Sequence, residues 1–318
     1  MLPQPLLGLA WGPSWWTGRA GRDPADHILW TIPRALGYSV GRLGKVEVVG
    51  AAPIPAQGVI LRERRKVLVT GATGRTGRLV VEYLRRLPQV FDVVGLARSS
   101  ARLQEVFGSG EGFVLGDIRD RSAIDTAIQG CQALVILTSA SPQLQPTATP
   151  GERPSFVYEP GGSPEQVDWE GQRHQIDAAV AAGVEHVVLV GSMGGTQQDH
   201  PLNKMGGGNI LIWKRRAEAY LIASGLAYTI IHPGGLLDQP GGRRELLVGQ
   251  NDAFLHETPG GIPPSVPRAD VAEVVVQALL HPEARNKAFD LISKPEDGAG
   301  AAATANFAAL FRLCSALE

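Results

Sequence analysis

The chain has 318 residues, enough for one large α/β domain or two modest ones, and a formal net charge of −1 that supplies no global field to draw in nucleic acid or an anionic membrane. Cys131 and Cys314 are the only cysteines, with neither a CxxC pair nor histidines at ligand spacing, so a disulfide framework and a metal site are not expected. No run reaches the roughly 18 uncharged apolar residues of a membrane span, which leaves a soluble, intracellular protein without a membrane span as the expectation.

Residues 1–62 differ from the rest: Trp11, Trp15, Trp16 and Trp30 are scattered among Pro and Gly without a sustained period. They are read as an N-terminal extension outside the main fold. Arg19, Arg22, Arg34 and Arg42 outnumber the acids Asp23, Asp26 and Glu47, as in a transit peptide to the chloroplast or another organelle, although serine is scarce. A disordered extension and a misassigned start are the rival readings; without an organelle signal the protein is cytoplasmic.

Residues 63–318 alternate strands and helices with short turns, the pattern of a doubly wound parallel sheet covered on both faces, an α/β Rossmann fold. Strands are expected at Lys66–Thr70, Asp92–Ala97, Gly112–Leu115 and Ala133–Leu137. Leu79, Val80, Val81 and Leu84 mark the first helix; Ala123, Ile124, Ala127 and Ile128 mark another, stopped at Gly130, which tolerates positive φ. Residues 141 to about 165 read as a long loop rich in Pro, Gly, Ser and Thr. There follow a helix from about Pro164 to Ala182, a strand at His186–Val190, a Gly-rich stretch 191–208, a helix to about Ser224 and a strand at Tyr228–His232. After a loop-rich region 233–265 come a helix from about Ala269 to Leu280, a strand at Ala288–Leu291 and a terminal helix through Phe307, Leu310 and Leu313.

Gly71, Gly74 and Gly77 lie where the first strand meets the first helix, at GxxGxxG spacing. A dinucleotide pyrophosphate needs backbone N–H donors unobstructed by Cβ atoms and a helix N-terminus facing the anion. In that context Gly71 permits the turn, Gly74 lets the chain approach the phosphates and Gly77 packs the helix on the sheet; Thr73, Arg75 and Thr76 share the loop. Cofactor type is read at the end of the second strand, where an acid would bond a ribose 2′-OH and a base a 2′-phosphate. There the sequence has Arg98 followed by Ser99 and Ser100, and Arg75 adds a second cation, so NADP(H) is expected ahead of the alternative, NAD(H).

From about Lys66 to the C-terminus the chain resembles an atypical short-chain dehydrogenase/reductase of the plant and cyanobacterial NADP-binding kind, with NmrA-like relatives. The carriers are Val69-Thr70-Gly71-Ala72-Thr73-Gly74-Arg75-Thr76-Gly77, Gly116-Asp117-Ile118, Val135-Ile136-Leu137-Thr138-Ser139-Ala140, Gln166-Val167-Asp168-Trp169, Val190-Gly191-Ser192-Met193-Gly194-Gly195, residues 209–218 and His232-Pro233-Gly234-Gly235-Leu236. The resemblance implies that Asp117 and Ile118 flank the adenine, that Thr138, Ser139 and Ala140 line the ribose side, and that Pro233 and Gly234 lie near the nicotinamide. A helix cap is the competing reading of Asp117. Relatives often carry Arg where this chain has His232, so the guanidinium contact of those relatives is not expected here.

Short-chain reductases use a Tyr as general acid, a Lys four residues later and a Ser orienting the substrate carbonyl. Ser192 and Lys214 take the Ser and Lys positions, with Lys214 also holding the ribose, or else belonging to a solvated basic face. Ile210 replaces the Tyr and has no proton to give. Tyr220, six residues beyond Lys214, is about 240° around the helix and cannot substitute; Tyr228 is expected to pack. The readings are an oxidoreductase of an unknown small-molecule substrate with a different acid, such as His200, His232 or water; a non-catalytic NADP(H)-binding redox sensor with a regulatory protein partner; and an assembly or scaffold protein. The substrate lobe is expected mainly from residues 233–268, where Arg243, Arg244 and Arg268 are assigned to ion pairs before substrate.

Overall fold

The computed structural model describes residues 64–145, 155–296 and 302–314; the expectations for residues 1–62 lie outside the described residues. The first unit is β1 (Arg65–Thr70), α1 (Arg75–Arg85) and β2 (Phe91–Ala97), followed by α2 (Ser100–Phe107), β3 (Phe113–Leu115), α3 (Arg121–Ala127) and β4 (Ala133–Ile136). A hairpin pairs β5 (Gln143–Gln145) with β6 (Ser155–Val157), so part of the expected 141–165 loop is ordered by backbone pairing. A π-helical turn at Glu165–Glu170 leads into α4 (Gly171–Ala182), then β7 (His186–Val190), a short α5 (Pro201–Lys204), α6 (Ile210–Ala223) and β8 (Tyr228–Pro233). The remainder is β9 (Gly235–Leu237), β10 (Leu246–Gly249), α7 (Ala253–His256), β11 (Ser265–Pro267), α8 (Arg268–Leu280), β12 (Lys287–Ser293) and α9 (Phe307–Arg312).

The main sheet has the order β10-β12-β8-β7-β4-β1-β2-β3. All its pairs are parallel except β10 with β12. The chain starts in the middle, at β1, moves outward through β2 and β3, then returns to lay β4, β7, β8 and β12 on the other side. The direction therefore reverses between β1 and β4, and the gap this opens at the carboxyl ends of these strands is where ligands of such folds bind.

Strand alternation distributes the core over both faces. Val67, Val69 and Phe289 face one side with Val80, Val81 and Leu84 of α1, Val271, Val274 and Val275 of α8, and Phe311 of α9. Leu68, Leu134, Ile136, Leu189 and Ile230 face the other with Ile124, Ile176 and Leu221 of α3, α4 and α6. Each fully buried side chain of this size stabilises by about 1.5–3 kcal/mol, and a sheet covered on both faces explains why the strands read as continuous apolar runs.

Of the elements that the sequence reading did not give, α2 and β10 show the physical reasons most plainly. α2 buries only Leu103, too little to create a helical period; its ends are set by Ser99, whose hydroxyl accepts from the Arg102 amide, and by Gly108 at φ 71°. β10 arises in the loop-rich stretch because it is an antiparallel edge strand registered on β12. Leu313, expected on the terminal helical face, follows α9 and is 75% exposed. Replacing Phe289, which has no exposed surface, with Ala should lower stability in urea unfolding by about 3–5 kcal/mol, whereas Leu313→Ala should change it by no more than about 0.5 kcal/mol.

Candidate functional site

The expected site residues converge on the carboxyl edge of the sheet. Gly71 follows β1, Arg98 follows β2, Asp117 follows β3, Thr138 to Ala140 follow β4, Ser192 follows β7, and Pro233 and Gly234 end β8. The turn after β1 is closed by the Gly74 amide donating to the Gly71 carbonyl at 2.9 Å. Gly71 has φ +67°, and a Cβ there would stand 2.8 Å from the Leu137 carbonyl. A Cβ on Gly77 would collide with the Gly71 carbonyl oxygen. The loop is thus packed on the neighbouring strand end and on its own helix, and only glycine fits at these two points.

Gly74 is the N-cap of α1 and offers no side-chain cap; no acidic residue stands in the first turn. The helix's positive end therefore faces outward without internal compensation, which fits an anionic pyrophosphate. Thr73 and Thr76 are half-buried on this loop and Arg75 is exposed. Arg75 pairs with Asp238 at 3.3 Å, and Asp238 also meets Arg268 at 2.7 Å. Arg243 pairs with Glu296 while Arg244 donates to the neutral Gln239, so of the three arginines of the 233–268 stretch Arg243 and Arg268 form the expected ion pairs and Arg244 a neutral hydrogen bond.

At the second strand end Arg98 is exposed, while the Ser99 hydroxyl is engaged in capping α2. Asp117 does not cap a helix: Asp120 caps α3 through the Ser122 amide. Asp117 instead accepts from Arg119 through the amide and the guanidinium, at 2.6 Å for the closest nitrogen. The Arg119 hydrogen bonds hold its carboxyl below the usual range. Arg119 also donates to the Gly161 carbonyl, tying the segment before the π-turn to this strand end. Ile118 is buried against Gly171, where a Cβ would stand 2.7 Å from its Cδ1.

After β4, the Thr138 hydroxyl and carbonyl accept from Gln175 and Gln172, and the Ser139 hydroxyl donates weakly to the Ala140 carbonyl at 3.4 Å. The Ala140 amide donates to Asp168 Oδ2 at 2.9 Å. The other oxygen of Asp168 lies 2.7 Å from Lys214 Nζ, with both side chains buried. Lys214 is therefore not on a solvated basic face. Asp168 was missed as a site residue by sequence reasoning, although its segment carried the resemblance. It faces inward from a π-turn, whose irregular spacing the 3.6-residue period does not describe.

Ser192 sits between strand ends: the Gly191 amide donates to the Ile231 carbonyl and the Met193 amide to the Pro233 carbonyl. Its hydroxyl donates to the Met193 carbonyl at 2.9 Å. Ile210 opens α6 one turn before Lys214. The Tyr220 hydroxyl donates to Asp177 at 2.6 Å, far in role from any reacting group, and Tyr228 is buried in β8, both as expected. His200 caps α5, accepting from the Leu202 amide on Nδ1.

His232 is 2% exposed and forms no part of an open surface. Its Nε2 lies 3.0 Å from Glu218 and its Nδ1 lies 3.5 Å from Asp290. Burial pushes the imidazole down, but the Glu218 and Asp290 carboxylates outweigh burial and lift it to about 9. Glu218, in turn, is driven up by burial and brought below its ordinary value by His232, Arg215 and Lys214. Glu218 was also missed; its i+4 spacing from Lys214, on the buried face of α6, is the signal that marks it.

The switch-point crevice and the glycine cradle define a nicotinamide dinucleotide-binding Rossmann protein. The family model described as NAD(P)H-binding matches residues 71–282. The chain is 54% identical over 247 residues to an uncharacterised chloroplastic protein of Arabidopsis thaliana, covering 77% of this chain and 74% of the relative. It is 49% identical over 264 residues to sanguinarine reductase of Eschscholzia californica, covering 77% and 94%. Among solved structures, a putative NAD-dependent epimerase/dehydratase from Bacillus halodurans superposes with a TM-score of 0.58 at 21% identity, covering 78% of this chain and 99% of that one; this likeness is one of fold. The chain belongs to the NAD(P)H-binding family. Among the described residues no helix is long and apolar enough to cross a membrane.

Gly77→Ala should raise the Kd for NADPH in fluorescence titration by at least about tenfold, roughly 1.4 kcal/mol, while far-UV circular dichroism retains the helix and strand content.

Proposed function

We propose that the chain is an NADP(H)-dependent reductase of a small electrophilic organic molecule. The observation that carries this reading is Lys214, held at 2.7 Å by buried Asp168, whose second oxygen grips the strip 138–140 through the Ala140 amide. That arrangement fixes a cation beside the strand end assigned to the cofactor's ribose. In this reading the amides of the Gly71–Gly77 loop, with Thr73 and Thr76, hold the pyrophosphate, while Arg75 and Arg98 face the 2′-phosphate. Asp117 and Ile118 bound the adenine, Pro233 and Gly234 the nicotinamide end, and residues 233–268 form the substrate lobe.

When bound, a reduced nicotinamide supplies a hydride. Ser192 orients the acceptor and Lys214 holds the ribose and contributes positive charge. Ile210 has no proton to deliver, so the acceptor best suited to the site is one whose reduction is completed by hydride alone, as at a cationic iminium carbon. The extensive identity to a sanguinarine reductase supports a reductase, and the chloroplastic naming of relatives supports placing the 1–62 extension as a plastid-targeting segment.

A second reading is favoured by the same Ile210: a non-catalytic NADP(H) sensor or assembly protein. Residues of this chain are also 31% identical over 242 residues to the chloroplastic protein TIC 62 of rice, covering 73% of this chain and 46% of that protein.

Purified protein with NADPH is expected to turn over sanguinarine, and other iminium acceptors ahead of aldehydes and enones, as loss of 340 nm absorbance. Lys214→Ala should abolish that loss. Tight NADPH binding with no turnover of any acceptor would favour the sensor reading. Arg98→Asp should weaken NADPH by about ten- to a hundredfold, the value of roughly 1.5–3 kcal/mol for a charge-assisted contact, and leave NADH affinity nearly unchanged; an unaltered NADPH/NADH ratio would remove the basis for the NADP assignment.

A further inference from the structure

The reductase reading leaves unexplained a group of buried and half-buried charges beside the segment that carries Ser192. Arg215 and Glu218 project from α6, His232 from β8 and Asp290 from β12, while Asp252 precedes α7. We propose that Asp252, with the Arg215–Glu218–His232 cluster, positions the segment 191–196, and so sets where Ser192 stands at the substrate end of the cleft. The proposal deepens the reductase reading and rests on it for the role of Ser192.

The segment is gripped from two directions. From below, it crosses the cluster at two glycines. A Cβ on Gly191 would collide with Glu218 Oε1 and stand 3.0 Å from His232 Cδ2, and a Cβ on Gly195 would collide with the Arg215 side chain. From the side, Asp252 accepts from the Gly194 amide at 2.8 Å, the Thr196 amide at 2.7 Å and the Thr196 hydroxyl at 2.6 Å. Ser192 and Met193 are carried between these anchor points. A carboxylate taking three hydrogen bonds is a strong clamp, and those bonds, against burial, hold Asp252 below its ordinary value.

Asp252 is aimed by an unusual backbone. It has no exposed surface, and both it and Asn251 are left-handed, at φ 60° and 56°. Non-glycine residues in that region cost free energy and persist where surrounding contacts demand them. The clamp connects to the cluster through Arg215, whose guanidinium lies 4.0 Å from Asp252 and 3.0 Å from Glu218. A segment from the C-terminal half of the chain is thereby joined to the loop carrying Ser192.

His232 and Arg215 together supply the charge that holds Glu218 in place, each 3.0 Å from Glu218 Oε2. Among the described residues, Glu218 Oε1 and both Asp290 oxygens are buried without a hydrogen-bond partner, so these carboxylates depend on neighbouring positive charge. The groups facing His232 are Glu218 and Arg215 from α6 and Asp290 from β12; the β7 histidine, His186, is engaged with Thr229 at the opposite strand end. With His232 raised to about 9, its contribution is complete below its ordinary value and is lost as pH rises through about 9. A cavity of about 40 Å³ lined by Arg215, Glu218 and His232 leaves space for a longer cationic side chain at position 232.

The test is hydrogen–deuterium exchange of the 191–196 amides in the full chain, corrected for intrinsic pH dependence, with NADPH affinity measured in parallel. Asp252→Asn should accelerate exchange of this segment about tenfold while leaving NADPH affinity within about twofold and the melting transition cooperative. Wild-type protection should fall between about pH 8 and about pH 10, whereas His232→Arg, permanently charged, should keep it across that range. Unchanged exchange in Asp252→Asn, or the same pH response in wild type and His232→Arg, would overturn the proposal. So would loss of NADPH affinity in step with loop protection, because the cluster would then be a general stabiliser. If wild type itself fails to bind NADPH, the reductase reading falls, and the pH comparison still reports on the clamp.

Discussion

No room exists for a β-carbon between Gly77 and the Gly71 carbonyl, and the rest of the site follows from that contact. It forces α1 to begin directly against the end of β1, so the uncapped helix N-terminus opens into the gap between β1 and β4. The gap is set by the sheet order, in which these two strands are neighbours although α1, α2 and α3 lie between them in sequence. A β-carbon at either glycine would displace backbone, which is far more costly than moving a flexible side chain. On the proposed reading, the fitness of the loop for an anion is thus a consequence of packing, and the helix dipole would add to it within the first turn.

The opposite end of the crevice is organised by buried charge. Asp168 spans Lys214 and the Ala140 amide, while the Glu218–His232 pair lies under Gly191 and Asp252 takes the amides of Gly194 and Thr196. Burying ions is expensive unless each is paired and hydrogen-bonded, so these groups tolerate little rearrangement. The result is a second wall of paired charges across the crevice from the glycine loop. His232 belongs to this wall: its two nitrogens face carboxylates, and its protonated state neutralises a neighbour within the protein.

Much of this was legible in the sequence, and the reason is locality. The apolar run into Gly71, the glycine spacing and the helical period of Leu79 to Leu84 lie within one short segment, so the β1–loop–α1 unit could be read without knowing the fold. The parallel sheet followed from repetition of that rhythm. Asp168 and Asp252 were not legible as site residues, because their partners are remote in sequence: Ala140 and Lys214 for Asp168, Gly194 and Thr196 for Asp252; Glu218 was marked only by its spacing from Lys214. The π-turn moved Asp168 off the regular helical period, and the left-handed backbone at Asn251 and Asp252 has no signature beyond residue types that tolerate it. The helix α2 and edge strand β10 escaped for a related reason, since one buries a single side chain and the other owes its existence to its neighbour β12. His232 was visible as a departure from relatives, but only the packed structure shows that it is enclosed by carboxylates.

Calorimetric titration of the folded chain with NADPH, NADH and inorganic pyrophosphate tests the central claim most directly. Saturable one-to-one binding of NADPH, tighter than that of NADH and competed by pyrophosphate, is the predicted result. Absence of measurable heat with either nicotinamide dinucleotide, in protein whose cooperative unfolding shows it to be native, would contradict the account.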